Sequence, residues 1–370
     1  MGNRPISRRN PQLTMAFSKY LSALQRARRL AASEGGVLPA AARAIRLFKS
    51  GGLRGIKQAL SAPDAAAIAA AAAAASRGNR PDDNDDFAFE IPFAQPIERD
   101  ERRACAIIHA FYPELCSEMR GYLANVPGQL DLYISTTSEQ KRQEITAAFA
   151  GYCKGSVEVR VFENRGRDIA PKLYGFADVY DRYDLALSLH TKKSPHGGTP
   201  LADWRHYLYE HLLGSPQIVA SIFELLKHDR VGMVFPQHLF YLRPILGWGA
   251  NFASCRALLR KMGVEIHEGI YLEFPTGSMF WCRTDALRSL RNLNLRFEDF
   301  DGEAGQIDGT LAHAVERAFL YAVEASGYQW AKVALREQYP LPDTLIPVNT
   351  PADLSPGLKR VHRPLLSERP

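Results

Sequence analysis

The sequence predicts an α/β fold: a mainly parallel sheet flanked by helices, with a basic helical N-terminal extension. Two observations predict it. Short apolar runs at 104–112, 130–137, 157–162 and 185–189 alternate with helix-like segments. Repeated β-α-β units of this kind make parallel strands with right-handed crossovers, and helices are then expected on both faces of the sheet. The second observation is charge. Residues 1–62 hold twelve Lys or Arg against one acid, Glu34, a net of +11, while the whole chain is +6, so the remainder carries −5. The basic balance belongs to the extension.

Length and composition set bounds. With 370 residues, 46% hydrophobic and 23% charged, the chain has enough material for one large domain plus an extension. No apolar run reaches the roughly 18–20 residues needed to cross a bilayer. The N-terminus lacks a compact apolar core followed by a cleavage site, so a secretory leader is not expected. Ile6 stands where myristoylation would need Ser or Thr. The five cysteines (Cys105, Cys116, Cys153, Cys255 and Cys282) are scattered and form no CxxC pair. That pattern predicts a reducing, cytoplasmic compartment and neither a zinc site nor a disulfide framework.

In the extension, Leu13, Phe17, Tyr20, Leu21 and Leu24 fall at helical spacing, and a second segment runs from Pro39 to Gly51-Gly52. Short basic amphipathic helices suit an anionic membrane surface, where each Lys or Arg contributes roughly 1 kcal/mol. Nucleic acid is not an expected partner, because the aromatic interleaving of a single-strand platform is missing. The alanine run of 64–76 reads as a helix with Asp64 as its cap. The stretch RGNRPDDNDD (77–86) reads as a polar linker. The expected division is a basic arm at 1–62, an Ala-rich helix and linker at 63–103, the α/β domain at 104–336 and a tail at 337–370. Seven prolines from Tyr339 onward predict that the tail lies extended over the surface.

Within the domain, Ala104–Tyr112 is the first strand, and Pro113 opens a helix through Val126. Leu130–Thr137 is a strand, after which Ser138 caps a helix through Tyr152. Val157–Phe162, the helix Ile169–Tyr180 and the strand Leu185–Leu189 follow. Trp204–Leu213 and Pro216–His228 are helices, and Val231–Phe235 is a strand. Gln237–Gly249 is an aromatic, proline-bearing loop that could cover a site. Asn251–Met262 is a helix and Gly277–Cys282 a strand. Asp308 is expected to cap a long helix through Gly327, with apolar face Leu311, Val315, Phe319 and Val323. Trp330–Leu335 ends the pattern as a strand.

Two polar clusters each follow a strand: Asn164-Arg165-Gly166-Arg167-Asp168, and His190-Thr191-Lys192-Lys193. Ligands of open α/β sheets bind at the carboxyl ends of strands, so the clusters are expected to wall one site. Both are mainly cationic, which predicts a phosphate-bearing or similar anionic ligand. Asp168 suits a hydroxyl acceptor or the cap of helix 169–180. His190 suits a ligand contact or a histidine satisfied by a backbone carbonyl. A metal pair of His190 with His196 lacks a third ligand.

The motifs NRGRDIAP, LHTKKSPH, the tryptophan and Leu-Leu-Gly-Ser of 204–215, PTGSMFW and QIDGTLAHAVER occur in an order that resembles the rhamnan synthesis protein F family over about residues 104–330. The resemblance implies a role in making bacterial cell-surface polysaccharide such as rhamnan, O-antigen, lipopolysaccharide or capsule. It also implies a Rossmann-like, nucleotide-sugar-binding fold similar to the GT-A glycosyltransferases. On that likeness Asn164, Arg165, Gly166, Arg167, Asp168, His190, Lys192 and Lys193 would bind a nucleotide-diphosphate sugar. Those enzymes carry Asp-x-Asp for a divalent metal where this chain has His190-Thr191-Lys192. A hard cation needs oxygen ligands, which Lys does not supply. The expectation is therefore a metal-independent site in which Lys192 and Lys193 neutralise the diphosphate, with a divalent cation as the alternative.

The likeness places Asp308 as general base for the acceptor hydroxyl, with Glu303 next; the competing role for Asp308 is a helix cap. His238, Trp248, His313 and Glu316 would contact acceptor sugar, although His313 and Glu316, three apart on one helical face, could instead pair with each other. The expected function is a glycosyltransferase moving a sugar, such as rhamnose, to a lipid-linked glycan. It would work at the inner face of the cell membrane, held there by residues 1–62 and beside other polysaccharide-assembly enzymes. The alternative is a non-catalytic glycan-binding or scaffold module. A glycan hydrolase is disfavoured, because no carboxylate pair can be placed.

Overall fold

The computed structural model describes residues 81–94, 100–191, 203–303 and 308–366. The basic arm, the alanine run, and Lys192, Lys193 and His196 lie outside the described residues. Among those described, the strands are β1 (Ala88–Ile91), β2 (Ala104–His109), β3 (Asp131–Thr136), β4 (Val157–Val161), β5 (Leu185–His190), β6 (Val231–Pro236), β7 (Phe280–Arg283), β8 (Gln329–Leu335) and β9 (Leu345–Ile346). They form one sheet in the order β4-β3-β2-β5-β7-β6-β8-β1-β9. Neighbours pair in parallel, except that β7 runs antiparallel between β5 and β6. The predicted α/β class with a mainly parallel sheet holds.

Helices cover both faces, because each central strand is apolar on both sides. Along β2, Ala104, Ala106 and Ile108 face one apolar layer and Cys105 and Ile107 the other. The first layer is closed by α1 (Cys116–Leu123), α2 (Glu139–Ala148), α3 (Trp204–Leu213) and α4 (Pro216–Lys227). The second is closed by a π-helical turn at Pro171–Gly175 and by α5 (Phe252–Arg260), α6 (Arg288–Arg291) and α7 (Leu311–Ala325). The expected helix over 169–180 is therefore a π turn followed by a 3-10 turn at Tyr180–Arg182.

The sheet also takes strands from outside 104–336. β1 lies in the stretch expected as linker, and its four residues are too short a signal between polar flanks to read locally. It pairs with β8 and β9. The proline-bearing tail supplies β9 and α8 (Leu354–Val361), where Leu354, Leu358 and Val361 are buried. Pro356 sits in the first turn of α8, where a missing N–H breaks no helical bond.

Buried charges fix β1 as well. Asp86 holds Lys332 Nζ and accepts from Arg243 Nη2 at 2.7 Å, and Lys332 also reaches Glu273 Oε2 at 3.1 Å. Burial would raise the Asp86 carboxyl, but Lys332 and Arg243 hold it below its ordinary value.

A Cβ on Gly357 would stand 2.4 Å from Phe89 Cε1, and Phe89 is fully buried. Gly357→Ala should overpack this contact and cost about 1–3 kcal/mol. Denaturant titration would read that loss, and an unchanged midpoint would show that α8 does not pack on β1.

Candidate functional site

A cleft of about 270 Å³ lies at the carboxyl ends of β2 and β5, lined by His109, Phe111, Tyr112, Asn164, Arg167, Asp168, His190, Thr191 and Glu303. His109 and His190 are register partners on adjacent parallel strands, so the topology sets the two imidazoles side by side. The turn after β4 forms the opposite wall. It is tied to the segment 300–303, with Gly166 N donating to Asp301 O at 3.2 Å and Glu303 N to Asn164 O at 3.1 Å. Gly166 has φ +66, and a Cβ there would meet Ala170 at 2.5 Å and the Phe300 ring at 2.9 Å, so the turn needs glycine.

The described parts of the two clusters thus meet, and the two arginines of the first differ in direction. Arg165 turns away, donating from Nη1 to Phe300 O at 2.7 Å. Arg167 lines the cleft with Nε 3.8 Å from Glu303 Oε2. Its φ of +54 is a left-handed conformation costing about 1–3 kcal/mol in a non-glycine residue. Asp168 does not cap a helix. Its Oδ2 sits 2.7 Å from Lys172 Nζ.

Lys172, which the sequence reading did not single out, is the buried cation beneath the cleft, 3% exposed at its side chain. Its ammonium also donates to Ser188 Oγ at 2.7 Å and Ser278 O at 2.9 Å. Burial would raise the Asp168 carboxyl, but Lys172 and then His190 hold it well below the carboxylate range. Burial lowers the Lys172 ammonium more than Asp168 raises it. The local clue was the i, i+4 spacing of Asp168 and Lys172.

His109 is the second residue missed. Ser135 Oγ donates to Ile108 O at 3.1 Å and lies 2.9 Å from His109 Nδ1. With the serine proton so placed, His109 Nδ1–H donates to Ser135, and Nε2 keeps its lone pair. Burial pushes the imidazole down to about 3, against the pull of Asp168, so it is neutral near pH 7. His109 ends β2 as His190 ends β5, and the same strand-end logic could have found it.

His190 Nε2–H donates to Gly277 O at 2.7 Å, and Tyr209 OH donates to His190 O at 3.0 Å. Gly277 and Ser278 have φ of +82 and +54, a conformation that aims their carbonyls at His190 and Lys172.

The two proposed carboxylates separate. Glu303 lines the cleft, and burial raises its carboxyl against the pull of Arg167. Asp308 lies outside the lining. It does not cap α7 either, where Thr310 takes that place in a capping box with His313. Asp308 instead accepts from Ala250 N at 3.0 Å and Asn251 Nδ2 at 2.5 Å, with Arg317 3.9 Å away. Burial would raise this carboxyl, but these donors hold it below its ordinary value.

None of the four expected acceptor contacts lines the cleft. His238 is fully buried, with Nε2 against Glu273 Oε1 and Nδ1 3.2 Å from Thr276 Oγ1. Trp248 packs on Phe252 and Tyr321. His313 contacts Thr310 Oγ1 at 2.8 Å, and burial and Arg167 push it down to about 4. Glu316 Oε1 accepts from Gly277 N at 3.0 Å, so it holds the 277–278 turn and does not pair with His313.

Chemically, the cleft offers donors from Asn164 and Arg167, acceptors at His109 Nε2, Asp168 and Glu303, and the rings of Phe111 and Tyr112. Asp168 is engaged by Lys172, and among the described residues no group of three His, Cys, Asp or Glu is placed to hold a metal ion. Among the described residues no helix is long and apolar enough to cross a membrane.

Fold and cleft together define an α/β protein with a polar cleft at the carboxyl ends of its strands, the usual ligand position in open α/β sheets. The model of the family described as rhamnan synthesis protein F matches residues 77–328, and the chain belongs to that family. Membership points to a role in polysaccharide synthesis. Two relatives from Xanthomonas campestris pv. campestris, each named uncharacterized protein WxcX, are similar: 37% identical over 229 residues in strain B100, and 38% over 230 residues in a second strain. Each alignment covers 61% of this chain and 32% of the relative, so the matched part spans about a third of the length of those proteins.

Proposed function

We propose that the chain is a glycosyltransferase of bacterial surface-polysaccharide synthesis, moving a sugar such as rhamnose from a nucleotide-diphosphate donor to a lipid-linked glycan. The observation that carries this reading is the position of the cleft. It lies at the carboxyl ends of parallel strands, where open α/β sheets bind ligands, and both strand-end motifs line it. Asn164 and Arg167 hold the donor, joined by Lys192 and Lys193, which follow β5 directly in the sequence. His109 Nε2 accepts a sugar hydroxyl, and Glu303 takes the proton of the acceptor hydroxyl. No step runs through a metal, because β5 delivers His190 where a hard cation would need a carboxylate. The arm of residues 1–62 holds the protein at the anionic inner face of the membrane, beside the lipid-linked acceptor and other assembly enzymes.

A non-catalytic glycan-binding module is the second reading. It is favoured by the charge balance of the cleft, where Glu303 sits near Arg167 and Asp168 engages Lys172.

One assay separates them: purified protein, a panel of radiolabelled nucleotide sugars and a membrane extract. Transfer that persists in chelator is expected, and deletion of residues 1–62 should release the protein from anionic liposomes. Absence of transfer, of donor hydrolysis and of nucleotide binding by calorimetry would end the transferase reading.

A further inference from the structure

We propose that a second cleft, at the amino ends of β6 and β8, binds a phosphate-type oxyanion through Arg230, Lys359 and Ser355. This cavity of about 580 Å³ is lined by Lys227, His228, Asp229, Arg230, Gln329, Ser355, Leu358 and Lys359. It forms where the segment His228–Arg230 turns from α4 into β6, with α8 alongside. The β6–β8 pairing is irregular there, its register shifting between Val231 and Met233.

The chemistry of the lining is one-sided. Three cations face one carboxylate, Asp229. Lys227 is partly matched by Glu224 at 3.1 Å. The guanidinium of Arg230 and the ammonium of Lys359, both exposed, have no ion-pair partner among the described residues. A planar guanidinium is suited to bidentate contact with phosphate oxygens.

A hydrogen-bond relay adds a neutral donor. Arg230 N donates to His228 Nδ1 at 3.3 Å, so Nδ1 carries the lone pair. His228 Nε2–H then donates to Ser355 Oγ at 3.0 Å. The Ser355 hydroxyl proton is left without an acceptor among the described groups, and it can be given to a ligand in the cleft. The cavity is also larger than a bare phosphate needs, which leaves room for the organic part of a phosphate ester.

This site is distinct from the first cleft. The strands that bound both clefts run parallel, so carboxyl ends and amino ends lie at opposite poles. A six-residue strand separates such ends by roughly 20 Å. Oxyanion binding there is therefore independent of whether the first cleft performs sugar transfer.

The test uses the full chain and the double variant Arg230→Gln/Lys359→Gln, whose exposed positions should leave the thermal midpoint unchanged. Inorganic pyrophosphate is titrated calorimetrically at low salt, where screening is weak, and sedimentation with phosphatidylglycerol vesicles is measured in parallel. At least tenfold weaker pyrophosphate binding when the two substitutions are added to an Arg167→Gln background, which takes out the diphosphate contact proposed for the first cleft, identifies a site for a soluble phosphorylated ligand. Weakened vesicle binding alone identifies a lipid headgroup, since the arm of residues 1–62 is common to both proteins. Equal binding of both probes by wild type and double variant, or no binding of either by wild type, overturns the proposal.

Discussion

Replacing Lys172 with methionine is expected to lower the unfolding free energy by about 3–5 kcal/mol, the usual consequence of stranding one partner of a buried ion pair. Lys172 is 3% exposed and contacts Asp168, Ser188 Oγ and Ser278 O. The methionine keeps the volume and removes the charge.

The pH profile should change with it. In the wild type, Asp168 has a folded-state pKa below its unfolded value of 3.8. Its contribution is therefore fully present above that value and fades as pH falls through the folded pKa. Without Lys172, burial dominates and the carboxyl shifts up instead. The folded state then holds a proton that the unfolded state has lost, so stability falls as pH rises above about 4. Denaturant titrations between pH 3 and 8 would show the two proteins diverging as pH rises. A double variant, Asp168→Asn/Lys172→Met, should recover part of the loss, because no uncompensated charge remains. A single variant as stable as wild type at pH 7 would mean that the pair does not form.

The second large effect concerns Glu303. If it takes the proton of the acceptor hydroxyl, Glu303→Gln should reduce kcat by about 10²–10⁴-fold, the range for loss of a general base. The donor KM should change little, because the amide keeps the shape and loses only basicity. The wild-type rate should rise with pH as Glu303 ionises, from a value that burial raises above the ordinary glutamate pKa, and the variant should lose this limb. Asp308→Asn makes the contrast. Asp308 is tied to Ala250 N and Asn251 Nδ2, so its substitution should act mainly on stability, by about 1–3 kcal/mol. The opposite result, with activity lost in Asp308→Asn at unchanged stability and retained in Glu303→Gln, would transfer the role to Asp308.

Much of the fold was legible because its signals are local. β2 to β6 and β8 are apolar runs bounded by turn residues, and periodicity finds such runs without knowledge of partners. The strand-end rule likewise brought the clusters after β4 and β5 to one cleft. It failed on the individual side chains. Arg165 and Arg167 are two residues apart in the same turn. One donates to Phe300 O and the other lines the cleft, a difference set by the segment 300–303, which lies more than 130 residues away. In the sequence His238, Trp248, His313 and Glu316 are polar or aromatic groups near a site, yet in the fold each is taken up by packing or by a hydrogen bond.

The sequence by itself determined the α/β class, the order of most strands, the basic character of the arm and the family motifs, since these depend on composition, local period and residue order. Only the tertiary structure decided that β7 runs antiparallel, that residues 88–91 and 345–361 complete the sheet and its cover, that His109 lines the cleft and that Lys172 lies buried beneath it against Asp168. These depend on contacts between residues far apart in the chain, such as His190 with Gly277 and Asp86 with Lys332. Burial and partner choice are properties of such contacts, and no local window of sequence contains them.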